Sequence, residues 1–262
     1  MSDPLPTNDA ERVIDLNVEV VGTPEEVWRA IATGPGISSW YVPTTVEERE
    51  GGAITNRFGE GSDLLIPGRV AVWEPPHRVV FDDGADGLAF EWLVEGRQGS
   101  TCVVRLVNSG FVPGSPWDDQ FDGMSQGWLL FLRNLQLHLA HFAGRTGTAM
   151  LPGAIWGEPR ENAFARLGRE LGLPERPVSG THFAATGEAP PLAGEILTAE
   201  SWRMALLLDS PAPGTGIIAA EGAGEQSGVS VWLYLYGDAA QPVVARDESR
   251  WIAWLEAHAP AS

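Results

Sequence analysis

Between Arg12 and Val21 the chain alternates. Ile14, Leu16, Val18 and Val20 are apolar, while Asp15, Asn17 and Glu19 are polar. A period of two predicts a half-buried strand. The period then changes. Thr23 can cap a helix, Pro24 suits its first position, and Glu25 and Glu26 complement its positive end. Val27, Trp28 and Ile31 form a short apolar stripe that Gly34-Pro35-Gly36 should stop, with a second short helical turn at Ile37–Tyr41. Strand-like pieces follow at Val46–Arg49, Ile54–Phe58, Gly68–Trp73, Val79–Phe81, Leu88–Glu95 and Thr101–Asn108. Gly51-Gly52 fits a hairpin turn between the first two. Ser115-Pro116 opens a long helix reaching His141 or Phe142. Leu129, Leu132, Leu135, Leu139 and Phe142 give its helical spacing, and Trp128 and Phe131 widen the stripe.

Residues 144–157 (GRTGTAMLPGAIWG) are loose and read as a linker between a domain at 10–143 and a second at 158–260. The second part predicts a helix at Glu161–Leu171 and strands at Val178–Thr186, Gly194–Thr198, Arg203–Asp209, Gly216–Glu221 and Val229–Tyr236. A final helix is expected at Asp247–His258. A weak internal repeat links the halves. Gly68–Asp82 aligns with Gly194–Asp209, and Gly99–Gly110 aligns with Gln226–Gly237. On this reading the second copy is an α+β unit that has lost its first strand.

Charge narrows the function classes. The 262 residues carry 35 acids against 17 bases, a formal net charge of −18, and every base is Arg. Without Lys there is no Schiff-base lysine and no Walker lysine. The negative charge disfavours nucleic acid and anionic membrane surfaces as partners. The single cysteine, Cys102, allows no intramolecular disulfide and suits a reducing compartment. The polar start, with Pro4 and Pro6, lacks the apolar stretch of a signal peptide, and no apolar run approaches the ~20 residues of a spanning helix. A cytoplasmic location is expected.

Candidate chemistry is sparse. His138 and His141 stand three apart on the long helix without a clear third ligand, so two partly exposed histidines are expected rather than a metal site. Cys102 has no cationic neighbour in sequence and reads as a small buried hydrophobe. Walker, HExxH and paired CxxC patterns are absent. Glu91, Arg105 and Asn108 lie on late strands. A carboxylate beside Arg inside a cavity could act as a base, but alternation sets Glu91 opposite to Phe90 and Trp92, which favours a solvent-facing ion pair. No cofactor or metal is expected. The 11 Trp residues serve either as core or as cavity walls, and Trp28, on a short helix, reads as a core anchor.

Five segments, in order, carry a family resemblance: TPEEVWRAI, SWYVPTTVEEREGG, GRVAVWEPPHRVVF, GSTCVVRLVNSGF and GWLLFLRNLQLHL. Over Arg12–Phe142 the chain resembles the START-like, helix-grip (SRPBCC) superfamily, in the branch named for the activator of heat-shock protein 90 ATPase homologue. The resemblance implies an α+β fold, a curved antiparallel sheet gripping a long C-terminal helix around a cavity. Phe58, Trp73, Phe90, Trp92, Trp128, Phe131 and Leu135 are the expected cavity residues. The superfamily holds ligand carriers, cyclases and co-chaperones, with no shared catalytic residues to carry over. The leading expectation is binding of a small, mostly apolar molecule without catalysis. The alternatives are a cyclase or dehydratase acting in the same cavity, or an adaptor with a protein partner or a homodimer. The second half is expected to bind nothing itself. It should fill its interior with Met204, Leu206, Leu208, Trp232 and Leu233 and dock on the first half through Trp251 or Trp254.

Overall fold

A computed structural model describes residues 12–59, 64–84, 87–111, 120–174, 176–222 and 224–260. The first unit runs β1 (Arg12–Val21), α1 (Pro24–Ala32), α2 (Gly34–Ser38), β2 (Thr44–Val46), β3 (Ala53–Arg57), β4 (Leu65–Glu74), β5 (Arg78–Asp82), β6 (Ala89–Arg97), β7 (Thr101–Phe111) and α3 (Phe121–Phe142). Its seven strands form one antiparallel sheet in the order β1-β7-β6-β5-β4-β3-β2. The alternation of β1 survives in its burial, with Ile14 and Val20 inside. At α1 the Thr23 hydroxyl accepts from the Glu26 amide while the Glu26 carboxylate accepts from the Thr23 amide, a complete capping box. Gly34-Pro35-Gly36 ends α1, but it also opens α2. Thr33 caps the new helix, and a Cβ at Gly36 would lie 1.9 Å from the Arg29 carbonyl oxygen. The expected helix opening at Ser115-Pro116, like Pro4 and Pro6, lies outside the described residues.

The second unit continues with β8 (Gly147–Met150), β9 (Gly153–Trp156), α4 (Arg160–Glu170), β10 (His182–Ala184), β11 (Ala193–Ala199), β12 (Arg203–Ser210), β13 (Gly214–Glu221), β14 (Ser227–Tyr236) and α5 (Ala240–Ala257). The stretch 144–157 is therefore not a linker. Its two strands pair with the two ends of β14, as β1 pairs with β7, and Pro152 falls between them. The first strand of the second copy is thus present in two short pieces. Strands β11–β12 and β14 occupy the places of β4–β5 and β7, which matches the aligned repeat segments. Counting from β14 to β10, it is β2 that has no counterpart among the described residues.

The two units share α3. One stripe, Trp128, Phe131, Leu132, Leu135 and Leu139, enters the core of the first sheet. A second stripe, Leu130, Asn134, His138 and Phe142, meets the outer face of the second sheet, and Leu129, expected in the apolar stripe, is exposed. A helix apolar on both sides must be covered on both sides. Phe142 stacks on Tyr236 with ring centroids 3.9 Å apart, and Phe131 stacks on Trp232 at 5.4 Å. Strand β13 is buried along almost its whole length because its other face packs on α4, in a separate core that α5 completes. Trp251 and Trp254, expected at the seam, belong to that inner core with Trp156. The seam belongs instead to Trp232, Tyr234 and Tyr236.

Polar groups in the seam are satisfied in pairs. Asn134 donates to the Trp40 carbonyl (2.8 Å) and accepts from the Thr215 hydroxyl (2.7 Å). Tyr236 donates to the Ser39 carbonyl at 2.8 Å, leaving its oxygen to accept from Nδ1 of His138, also 2.8 Å away. His138 is buried rather than partly exposed, because the second sheet covers it. The described residues contain no cluster of groups able to hold a metal. No helix among them is long and apolar enough to cross a membrane.

Two outcomes follow. Burial holds the His138 imidazole down to about 4 from an ordinary 6.5, so the folded state favours the neutral ring. Between those values the unfolded chain binds the extra proton. Stability therefore rises with pH across that window, is fully present above it, and loses about 3 kcal/mol as pH falls through it. Denaturant titrations at several pH values should show a flatter dependence for His138→Phe than for the wild type. Equal slopes would contradict the account. A fragment ending at residue 145 exposes Leu130 and Phe142 and should aggregate or melt well below the full chain. Equal solubility and melting temperature would mean the seam contributes little.

Candidate functional site

Between the first sheet and α3 lies a cavity of about 460 Å³. That volume is typical of small-molecule sites. Its roof is α3, through Met124, Gly127, Trp128 and Phe131, and its floor is the inward face of β3–β6, through Ile54, Phe81, Phe90 and Trp92. Ile37, Trp40 and Tyr41, in and just after α2, close one end. Phe58, Leu64 and Ile66 form an apolar rim, all three exposed.

Of the seven expected cavity residues, Phe58, Phe90, Trp92, Trp128 and Phe131 line the space. Trp73 does not. The β4–β5 register shifts between Val70 and Val72, and beyond that bulge Trp73 packs edge-on against Trp28 of α1, with centroids 4.9 Å apart. Leu135 also lies outside, one turn past Phe131 and fully buried in the core. Pattern reading missed Trp40 and Tyr41. They follow α2 in a turn, where no periodicity announces a facing. Their only signal was two adjacent aromatics before Pro43.

The walls are held in place by one another. Tyr41 stacks on Trp128 (5.2 Å) and meets Phe131 edge-on (4.5 Å), while Trp92 meets both Trp40 and Trp128 edge-on. Aromatic pairs of this kind contribute about 1 kcal/mol each beyond burial. Two indoles are also fixed by hydrogen bonds. Trp40 donates to the Ala30 carbonyl, and Trp128 donates to Oδ1 of buried Asn108, whose Nδ2 donates to the Ala89 carbonyl. Asn108 thus turns inward and orients a cavity wall. Glu91 turns outward to Arg78 (2.6 Å), and Arg105 pairs with Asp15 across the strands. The Cys102 thiol is buried and its pKa is raised, first by burial and then by Glu25 and Glu26, so it is not an activated nucleophile.

The polar groups facing the cavity are few. The Tyr41 phenol has no hydrogen-bond partner among the described residues, and burial raises its pKa, so it keeps its proton. Behind it, the Tyr234 hydroxyl of the second sheet is buried without a partner among the described residues. Its pKa is raised by burial and by the proximity of Tyr41 and Tyr236. Asn56 lies beside Thr44, whose hydroxyl oxygen sits 2.8 Å from both the Val42 carbonyl oxygen and Oδ1 of Asn56 and has one proton to give to either. Near the rim are Gln120, Asp83, and Asp82 paired with Arg69. None of these forms a nucleophile–base pair or an array of donors aimed at one point.

Several solved structures resemble the chain. The solution structure of Bacillus halodurans protein BH1534 is 20% identical, with a TM-score of 0.43, and covers 49% of this chain and 96% of its own. DynU16, described as a putative protein in the dynemicin biosynthetic locus, is 15% identical with a TM-score of 0.44 and covers 96% of this chain and 97% of its own. The di-domain ARO/CYC BexL from the BE-7585A biosynthetic pathway is 16% identical with a TM-score of 0.43 and covers 96% and 99%. No curated protein matches the chain. The family model described as Activator of Hsp90 ATPase homolog 1-like protein matches residues 22–140, from the end of β1 to the last turns of α3. The segment matched by that family model is the one that builds the cavity.

Proposed function

We propose that the protein binds a small, mostly hydrophobic molecule in the cavity between the first sheet and α3, without catalysing its conversion. The observation that carries this reading is the cavity itself. About 460 Å³ of space is kept open by aromatic walls that are already packed and hydrogen-bonded in place. A wall fixed before binding loses little entropy when a ligand arrives. The described polar groups support orientation of a guest and do not assemble a reaction centre, which favours binding over the cyclase or dehydratase alternative. The adaptor alternative rests on the family match alone.

Gly127 permits a test that separates the cavity from the fold. It lies on α3 and lines the cavity, and a Cβ there would meet no heavy atom within 4 Å. Gly127→Leu should fill the space while improving helix propensity by roughly 0.5–1 kcal/mol. Native mass spectrometry of protein from its own host should find a retained small molecule in the wild type and none in Gly127→Leu. The variant's melting temperature should equal or exceed that of the ligand-free wild type. Undiminished retention by the variant would place the site elsewhere.

A further inference from the structure

A cavity wall is only as firm as what stands behind it. Phe131 lines the cavity from α3, and its ring has three aromatic neighbours. Tyr41 meets it edge-on at 4.5 Å, and Trp128 stands beside it at 6.1 Å. Both are themselves cavity walls. The third neighbour, Trp232 of β14, lies against the face of Phe131 at 5.4 Å, with the two planes only 13° apart. Trp232 is not part of the lining, whose described residues all come from the first unit. Among the described residues it is the one apolar side chain beyond α3 that packs against the core of the first unit. It packs against the seam core as well.

The internal repeat shows how this position differs between the copies. Aligning Gly99–Gly110 with Gln226–Gly237 sets Trp232 against Arg105. Both stand on the outward face of their sheet. Arg105 is exposed there and pairs with Asp15, whereas Trp232 meets α3. A large flat ring in an offset stack holds Phe131 from one side. On the other side Phe131 borders open space, so it has little packing to lose by retreating from the cavity. A smaller side chain at 232 leaves a void behind Phe131. Surrounding groups relax partway into such voids, and the ring that borders open space is the one most free to move.

On the reading that the cavity holds a guest, we propose that Trp232 sets the upper size of that guest. It is a specificity-determining residue that acts through Phe131, from a unit that contributes no described residue to the lining.

A homologous series of para-alkylphenols, butyl to dodecyl, titrated calorimetrically into the full chain, reads the limit. A flexible chain fills whatever space is offered. Affinity should therefore rise about fourfold per methylene and level off once the space is full. Trp232→Leu should move the levelling-off to a longer chain, by about one methylene or more, and leave the affinities of the short members unchanged. Trp232→Phe keeps a smaller ring against Phe131 and should shift the limit less; it carries the test if Trp232→Leu does not fold. Leu207→Ala alters a side chain packed in the seam but not against the first unit's core. It should lower the melting temperature without shifting the limit. A limit unchanged in the Trp232 variants that fold, or shifted as far by Leu207→Ala, overturns the proposal and leaves the cavity as a ligand site. Failure of the whole series to bind the wild type overturns both.

Discussion

Helix α3 has two faces that cannot be left in water, and each unit covers one of them. The first sheet takes the stripe from Trp128 to Leu139, and the back of the second sheet takes Leu130, Asn134, His138 and Phe142. The arrangement makes the second unit part of the first unit's packing. Trp232 stands behind Phe131, and Phe131 is cavity wall. The Asn134 amide ties α3 at once to the loop carrying Trp40 and to β13. Removing one partner of such a buried pair leaves the other unsatisfied, at about 1–3 kcal/mol. The polar seam thus fixes register, beside the stacked rings of Phe131 on Trp232 and Phe142 on Tyr236.

The same helix explains why an empty space survives in a close-packed protein. The roof residues Trp128 and Phe131 are braced from behind and from the sides, so they do not collapse inward. Gly127 and Gly68 leave room where a larger side chain would intrude, and at Gly68 a Cβ would lie 2.8 Å from the Asp82 carbonyl oxygen. Large aromatics in such a frame present faces and edges rather than flexible chains.

Much of the fold was legible in the chain, and the failures have definite causes. Strand β1 could be read because one face is wet, and the alternation records it. The capping box and the hairpin glycines are local chemistry and needed no tertiary context. The second stripe of α3 was hidden because two of its four members, Asn134 and His138, are polar and read as surface. Strands β8 and β9 were hidden by Gly and Pro, whose effect on short edge pieces resembles that of a linker. At the site, Phe90 and Trp92 followed from parity and from the resemblance together. Trp73 failed because a bulge moved it beyond the cavity's end, and Leu135 failed because helical spacing gives a facing and not a depth. Tyr41 sits in a turn, where neither period applies.

If α3 is the common core of both units, it cannot open without unsealing both. Native-state hydrogen exchange followed by mass spectrometry reads this directly. Peptides covering α3 (121–142) and β13–β14 (214–236) should share one opening free energy and lose protection together as denaturant is raised. Protection of β13–β14 that persists after α3 and the first sheet have exchanged would mean two independently stable bodies, and would contradict the shared helix as the constraint on which the structure depends.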